Sequence, residues 1–182
     1  IEMAKVTRVP LDWLITRGQQ IKVFNQIVYS CSKKQIAVPF FNKQSPQEKY
    51  VGATVLNANI GAYMDQAVSG LDFASLYPSI MIAHKLCYST FVSNEPGYEK
   101  YKDIEGIKYE TVEWKEEDGT VFKYVFVQNT DSVLPDLLDN LWICRKKAKK
   151  QMKNAKNENE KAVYNGKQLA IKVTMNSIYG FT

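Results

Sequence analysis

Leu71-Asp-Phe-Ala-Ser-Leu-Tyr-Pro-Ser-Ile80 is the stretch around which the rest of the chain is interpreted. Asp72 ends an apolar run that begins at Ala67, and Pro78 stands where a helix through residues 79–83 would begin. The pattern therefore predicts a strand, a tight turn and a helix. Such a turn leaves backbone N–H groups that attract anions, and Asp72 can hold an accompanying cation. An ordinary strand-to-helix connection with a surface aspartate is the simpler interpretation of the stretch taken alone.

The composition sets the class of protein. A chain of 182 residues with 45% hydrophobic residues can form one globular core, and no run of 18 apolar residues predicts a membrane span. The start, Ile-Glu-Met-Ala, has no signal-peptide pattern and favours an excerpt of a longer protein. Cys31, Cys87 and Cys144 are odd in number and do not make a zinc set with the single His84, so we expect reduced thiols inside a cell.

The net charge of +5 is distributed unevenly along the chain. Residues 1–140 carry 14 Lys/Arg against 17 Asp/Glu, a net of −3, while residues 141–182 carry 10 against 2, a net of +8. A basic segment on a slightly acidic body favours a polyanionic partner such as nucleic acid or a nucleoside triphosphate. A solvated basic helix would give the same count.

A helix, a loop, a strand and a β-hairpin are predicted before the basic segment. Ile21, Phe24 and Ile27 recur at helical spacing and predict a helix from about Gly18 to Cys31. Residues 42–49 indicate a loop and 50–56 a strand. Two alternating runs, 108–114 and 120–127, flank an Asp-Gly turn and predict a β-hairpin whose acidic residues lie on a solvated face.

Residues 134–179 predict a hairpin of two helices, broken within the Asn-rich residues 154–159. Arg145 and Lys149 share a face of the first helix, and Lys172, Asn176 and Tyr179 share a face of the second. With the turn near Glu158, antiparallel helices would bring these two basic faces to one level. A triphosphate cradle and a pair of solvated lysine stripes both remain open at this point.

Four motifs now carry a resemblance to a known family. Asp72-Phe-Ala-Ser-Leu-Tyr-Pro-Ser79 resembles motif A of the B-family DNA polymerases, and Lys172-Val-Thr-Met-Asn-Ser-Ile-Tyr-Gly180 resembles their motif B. Arg145-Lys-Lys-Ala-Lys149 is similar to the basic segment of the first fingers helix, and Tyr50-Val-Gly-Ala53 to the Tyr-x-Gly-Gly/Ala motif. The pattern is most similar to delta-type replicative polymerases and to those of large DNA viruses, including viruses of algae.

The resemblance implies a role for each motif residue. Asp72 and the carbonyl of Phe73 would bind metal, as part of a site for two Mg²⁺ ions. The Tyr77 ring would exclude a 2′-hydroxyl, and Tyr179 would pack near the nascent base pair. Tyr50 and Gly52 would contact the template. The residues that would bind the deoxynucleoside triphosphate are Phe73, Ser75, Leu76, Tyr77, Arg145, Lys149, Lys172 and Asn176.

The resemblance also implies a partial α+β fold. Residues 1–50 would end an N-terminal exonuclease region and link it to the palm. Residues 51–133 would form part of the palm, with an antiparallel strand carrying Asp72 and a β-hairpin insertion, and residues 134–182 a fingers helical hairpin. The family's motif C and its exonuclease acids have no copy in this sequence. The expectation is that the parent protein polymerises DNA and that this chain alone does not.

The implied partners are primer–template DNA, deoxynucleoside triphosphates and, through segments outside this chain, a sliding clamp, with no membrane. The implied location is intracellular, at the nucleus or a viral replication site. One alternative stays open: a polymerase-like scaffold on DNA that has lost catalysis.

Overall fold

The computed structural model describes residues 1–38, 55–92, 104–115 and 119–180. In chain order the helices are α1 (Glu2–Thr7), α2 (Trp13–Thr16), α3 (Gln19–Lys33), α4 (Leu76–Ala83), α5 (Leu134–Lys153) and α6 (Glu158–Tyr179); the strands are β1 (Phe91–Val92), β2 (Tyr109–Lys115) and β3 (Val121–Val127). The α+β class expected from the sequence is confirmed. Within these ranges no helix is both long enough and apolar enough to span a membrane.

The three strands form one antiparallel sheet in the order β1-β3-β2. The long pair runs in register from Tyr109 opposite Val127 to Lys115 opposite Val121, which confirms the predicted hairpin. Gly119 in its connection has a φ of 91°, a conformation that glycine adopts without strain.

Helices α5 and α6 are an antiparallel pair against which α1, α3 and α4 pack. The predicted hairpin is confirmed, and Asn157 caps α6 by accepting a hydrogen bond from the Glu160 N–H at 2.8 Å. The core is closed by buried side chains from α3, α4, α5 and α6 and the segments between them: Val23, Cys31, Met81, Cys87, Val133, Leu134, Leu138, Leu141, Ile171, Met175 and Ile178. All three cysteines are free thiols, as expected. Burial and the neighbouring Cys87 raise the pKa of the Cys31 thiol.

Two sequence predictions need correction. Residues 67–72 are not a strand: they are exposed and without regular structure, because a strand requires a hydrogen-bonding neighbour and no described segment pairs with them. The helix after Asp72 exists but begins at Leu76, two residues before Pro78. A proline is tolerated at the third helical position, because a backbone N–H at this position would have no acceptor within the helix.

Asp136, in the first turn of α5, links this helix to the C-terminal ends of α3 and α4. One carboxylate oxygen accepts from Lys34 Nζ at 2.5 Å, and the other accepts from Lys85 Nζ at 3.3 Å and from the Ser132 hydroxyl at 2.8 Å. Burial acts to raise the pKa of Asp136, but the hydrogen bonds from Lys34, Ser132 and Lys85 outweigh it and lower the pKa from 3.8 to about 2.

We expect Asp136→Asn to destabilise the protein at pH 7 by roughly 2 kcal/mol, because the lowered pKa means that folding favours the carboxylate. This stabilisation is complete above about pH 4, the unfolded value, and is lost as the pH falls towards about 2. Urea unfolding midpoints of the two proteins should therefore differ at neutral pH and converge towards pH 2. Asp131→Asn is the control, because Asp131 is 94% exposed and its carboxylate lies at the longer distance of 4.0 Å from Lys34 Nζ. A difference between Asp136→Asn and wild type that does not change with pH would contradict the assignment.

Candidate functional site

The turn after Asp72 presents free backbone donors. Ser75, the residue before α4, has φ 57° and ψ 59°, a left-handed conformation that is unfavourable for a residue with a Cβ. The Ser79 hydroxyl donates to the Ala74 carbonyl at 3.1 Å, which holds the turn closed. Among the described residues no acceptor is found for the backbone N–H groups of Ser75, Leu76 and Tyr77. Strained backbone at the start of a helix, with unpaired N–H groups, is suited to holding an anion.

Tyr77 and Tyr179 connect the start of α4 with the end of α6. Their rings are stacked, with centroids 4.7 Å apart and planes inclined by 17°. They are 50% and 38% exposed, so a ligand can reach both. The two rings line a cavity of about 400 Å³ together with Tyr88, Phe91 and Phe126. The structure thus brings together two residues that lie 102 positions apart and that the sequence placed in two separate motifs.

Asp72 lies four residues before α4 in the exposed segment. In the described part of the chain its carboxylate makes no ion pair, and no three His, Cys, Asp or Glu side chains form a metal-binding group. Phe73, the other predicted ligand, is 76% exposed. Magnesium is commonly held by only one or two carboxylates with water and substrate phosphates as the other ligands. An unpaired carboxylate beside an anion-holding turn fits one part of such a site.

The basic residues lie on the two long helices, with α4 packed against both. Arg145 is half-buried, and its Nε has no hydrogen-bond partner among the residues described. Lys149 and Lys172 are exposed, as is Asn176. The two long helices are connected by residues 154–157, so the turn is centred two to three residues before Glu158, and facing positions sum to about 311 instead of about 316. For a symmetric turn this places Arg145 opposite about residue 166, with Lys172 roughly 9 Å farther along the pair.

The remaining predictions fall into two groups. Tyr50 and Gly52, with most of the predicted strand 50–56 and all of the loop 42–49, lie outside the described residues. The other predicted site residues are placed by the structure, but what each of them binds stays a prediction.

Sequence reasoning missed two features. The cavity beside Tyr77 includes Phe126, whose inclusion could have been suspected because alternation in β3 puts Phe122, Tyr124 and Phe126 on one face. The second missed feature is a pair between His84 and Glu110 in β2, whose Nδ1 and Oε1 lie 2.6 Å apart. That pair spans 26 residues and has no signal in the local sequence.

Comparison with known proteins places these features in one class. The model of DNA polymerase family B matches residues 9–182, and the chain belongs to this family. Relatives with high similarity are DNA polymerase delta catalytic subunits: 41% identical over 183 residues in Caenorhabditis elegans, 43% in Plasmodium falciparum (isolate K1 / Thailand) and 42% in Oryza sativa subsp. japonica. Each match covers the whole of this chain but only 16% of the relative, so the chain spans about a sixth of the length of these proteins.

A solved structure shows the same fold. The family B DNA polymerase from the hyperthermophilic archaeon Pyrobaculum calidifontis matches with a TM-score of 0.66 over 99% of this chain and 22% of its own, at 22% sequence identity. At that identity the match shows the fold alone.

Proposed function

We propose that the polymerase containing this chain transfers a deoxynucleotide to the 3′-hydroxyl of a primer, as directed by a template, and releases pyrophosphate. In this proposal the chain supplies one carboxylate of the metal site and most of the triphosphate pocket, and is inactive by itself. The substrates are primer–template DNA and deoxynucleoside triphosphates. A sliding clamp, a nuclear location and a viral source stay predictions; the relatives compared above are eukaryotic.

The observation that carries the proposal is the stack of Tyr77 on Tyr179. It joins the turn of motif A to the last turn of the motif B helix. Any molecule held by the N–H groups of residues 75–77 is therefore close to the end of α6. A nucleotide needs such an arrangement, because its phosphates, sugar and base must be contacted by different elements at once.

The residues divide the substrate between them. The N–H groups of Ser75, Leu76 and Tyr77 hold triphosphate oxygens, and the Tyr77 ring lies under the sugar. Asp72 and the Phe73 carbonyl hold Mg²⁺, which when bound activates the primer hydroxyl and steadies the phosphates. Tyr179 contacts the nascent base pair, and Tyr50 and Gly52 contact the template.

The long helices supply counter-charge to the leaving pyrophosphate. Arg145, Lys149 and Lys172 are the candidates, with Asn176 assisting as a neutral hydrogen-bond donor. The Nε of Arg145 has no hydrogen-bond partner among the described residues and is available to a ligand. The offset of roughly 9 Å inferred from the position of the turn is compatible with this, because a triphosphate is an extended group and lysine side chains are long. We assign residues 1–50 to the end of the N-terminal region, 51–133 to the palm and 134–182 to the fingers.

Lys172→Ala tests the pocket in the complete polymerase. We expect kcat/KM for a correct deoxynucleotide to fall roughly 30- to 150-fold, the loss of about 2–3 kcal/mol that accompanies removal of a hydrogen bond to a charged group. Single-nucleotide incorporation at saturating primer–template measures it. Lys161→Ala is the control, since Lys161 is exposed on the same helix and pairs with Glu158 at 3.1 Å. Equal losses in both variants would contradict a specific contact with the nucleotide.

A further inference from the structure

A second cavity lies away from the candidate site, between α1, α3, α5 and α6, with a volume of about 440 Å³. It contains none of the residues that the sequence predicted for metal, nucleotide or template. Five of its lining side chains are cationic: Lys5, Arg8, Lys33, Lys34 and Lys167. We call this cavity the basic groove.

Two of the five cations already have partners. Lys5 pairs with Glu2 at 2.8 Å, and Lys34 pairs with Asp136 at 2.5 Å, so Asp136, the acid in the wall, is neutralised within the protein. Arg8, Lys33 and Lys167 make no ion pair with any residue that the structure describes. The groove therefore has a surplus of positive charge, and that surplus comes from three separate elements of the fold.

Arg8 and Lys33 are held in place by Tyr29. The Arg8 guanidinium carbon lies 3.7 Å from the centroid of the Tyr29 ring, and Lys33 Nζ lies 5.5 Å from it. The backbone of Arg8 is also fixed, in the left-handed region at φ 59°, with its carbonyl accepting from Asn25 Nδ2 at 2.8 Å. Both cations are thus preorganised at the groove, which lowers the entropy lost when an anion binds.

Gln26 gives an independent indication of a ligand. It is 4% exposed and lines the groove. Its Nε2 donates to the Val6 carbonyl at 2.7 Å, but its Oε1 is buried and accepts no hydrogen bond within the described ranges. A buried acceptor left unpaired is destabilising, and a bound donor would relieve that cost. The ligand that suits the groove therefore carries several negative charges and at least one hydrogen-bond donor.

We propose that the basic groove binds a single strand of nucleic acid through its phosphodiester backbone, at a place separate from the nucleotide site. A DNA strand offers successive phosphates to the three unpaired cations, and each of its bases carries an N–H donor for Gln26, whereas inorganic phosphate offers one charged centre. The chain belongs to a family of DNA polymerases, so a DNA strand is the polyanion this surface meets. Contacts to phosphates carry no sequence information, so we expect binding to be independent of sequence.

The test compares two triple variants of the complete polymerase that remove equal charge. Arg8, Lys33 and Lys167 are changed to Gln in one, and the exposed Lys123, Lys150 and Lys161, which lie outside the groove, in the other. Binding of labelled single-stranded oligo-dT is measured between 50 and 300 mM salt. Relative to the control triple, we expect the groove triple to bind at least tenfold more weakly at low salt. Its slope of log K against log[salt] should be smaller in magnitude by about 2, as for three lost phosphate contacts.

Lysine acetylation in the wild-type protein, read by mass spectrometry, localises the contact. DNA should protect Lys33 and Lys167 but not Lys150 or Lys161, and an oligo-dC of equal length should protect them equally. Equal affinity and salt slope of the two triple variants would overturn the proposal, as would unprotected groove lysines. Protection by polyglutamate or by a deoxynucleoside triphosphate at the same phosphate or carboxylate concentration would overturn it too, in favour of an acidic peptide or a free nucleotide. Single-nucleotide incorporation by the same variants at saturating DNA reports the nucleotide site separately.

Discussion

Asp72→Asn in the complete polymerase is expected to lower nucleotide incorporation by roughly 10³-fold or more while primer–template binding stays within about twofold. Asn has nearly the same shape as Asp but carries no charge, so it cannot hold Mg²⁺ at the turn before α4. Loss of metal assistance is worth several kcal/mol of transition-state stabilisation. The exposed Asp72 side chain makes no ion pair in the described part of the chain, so folding is not expected to change.

The measurement is a single-turnover incorporation rate together with a primer–template dissociation constant. Asp65→Asn is the matched control, because Asp65 lies in the same exposed, irregular segment seven residues earlier. Incorporation that survives in Asp72→Asn would reject the metal role. A wild-type polymerase that binds primer–template without incorporating would instead support the scaffold that has lost catalysis.

The elements that the sequence predicted well are those determined locally. The helix at α3, the β2–β3 hairpin and the α5–α6 pair each follow from periodicity and turn residues within about 50 positions. The failure at residues 67–72 has the opposite cause: a strand is stabilised by a neighbour, and an apolar run carries no information about whether that neighbour is present. The buried face of α6 is likewise determined by its packing partners, because Ile171, Met175 and Ile178 are buried while the equally apolar Val163 and Val173 are exposed.

The motifs predicted which residues belong to the candidate site, but the packing of the helices determines which of them come together. Nothing in the local pattern of residues 71–80 or 172–180 states that Tyr77 and Tyr179 meet, since that contact depends on how α4 packs against α6. The register of Arg145 against Lys172 depends on the centre of the turn, which lies two to three residues earlier than the sequence prediction placed it. A shift of the turn displaces facing pairs by twice as many residues. Residue identity could be read from the sequence, whereas the level of one helix against another could not.

Sugar selection is the property that the Tyr77–Tyr179 stack should control. If the Tyr77 ring lies under the incoming sugar, Tyr77→Ala removes the surface against which a 2′-hydroxyl would clash. We expect the preference for deoxynucleotides over ribonucleotides, as a ratio of kcat/KM values, to fall roughly 10- to 200-fold, the range that one small group is worth in a closely fitting pocket. Tyr77→Phe keeps the ring and should keep the preference.

Tyr179 makes this prediction sharper, because stacking at 4.7 Å fixes the plane of the Tyr77 ring. Tyr179→Ala removes an aromatic pair worth about 0.5–1.5 kcal/mol and leaves the gate present but free to tilt. Its loss of sugar preference should therefore be about 2- to 10-fold, smaller than that of Tyr77→Ala. The double variant should select no worse than Tyr77→Ala alone, since a ring that is absent cannot be misplaced. Additive losses in the double variant would show that Tyr179 excludes ribose independently of Tyr77, and an unchanged preference in Tyr77→Ala would reject the gate.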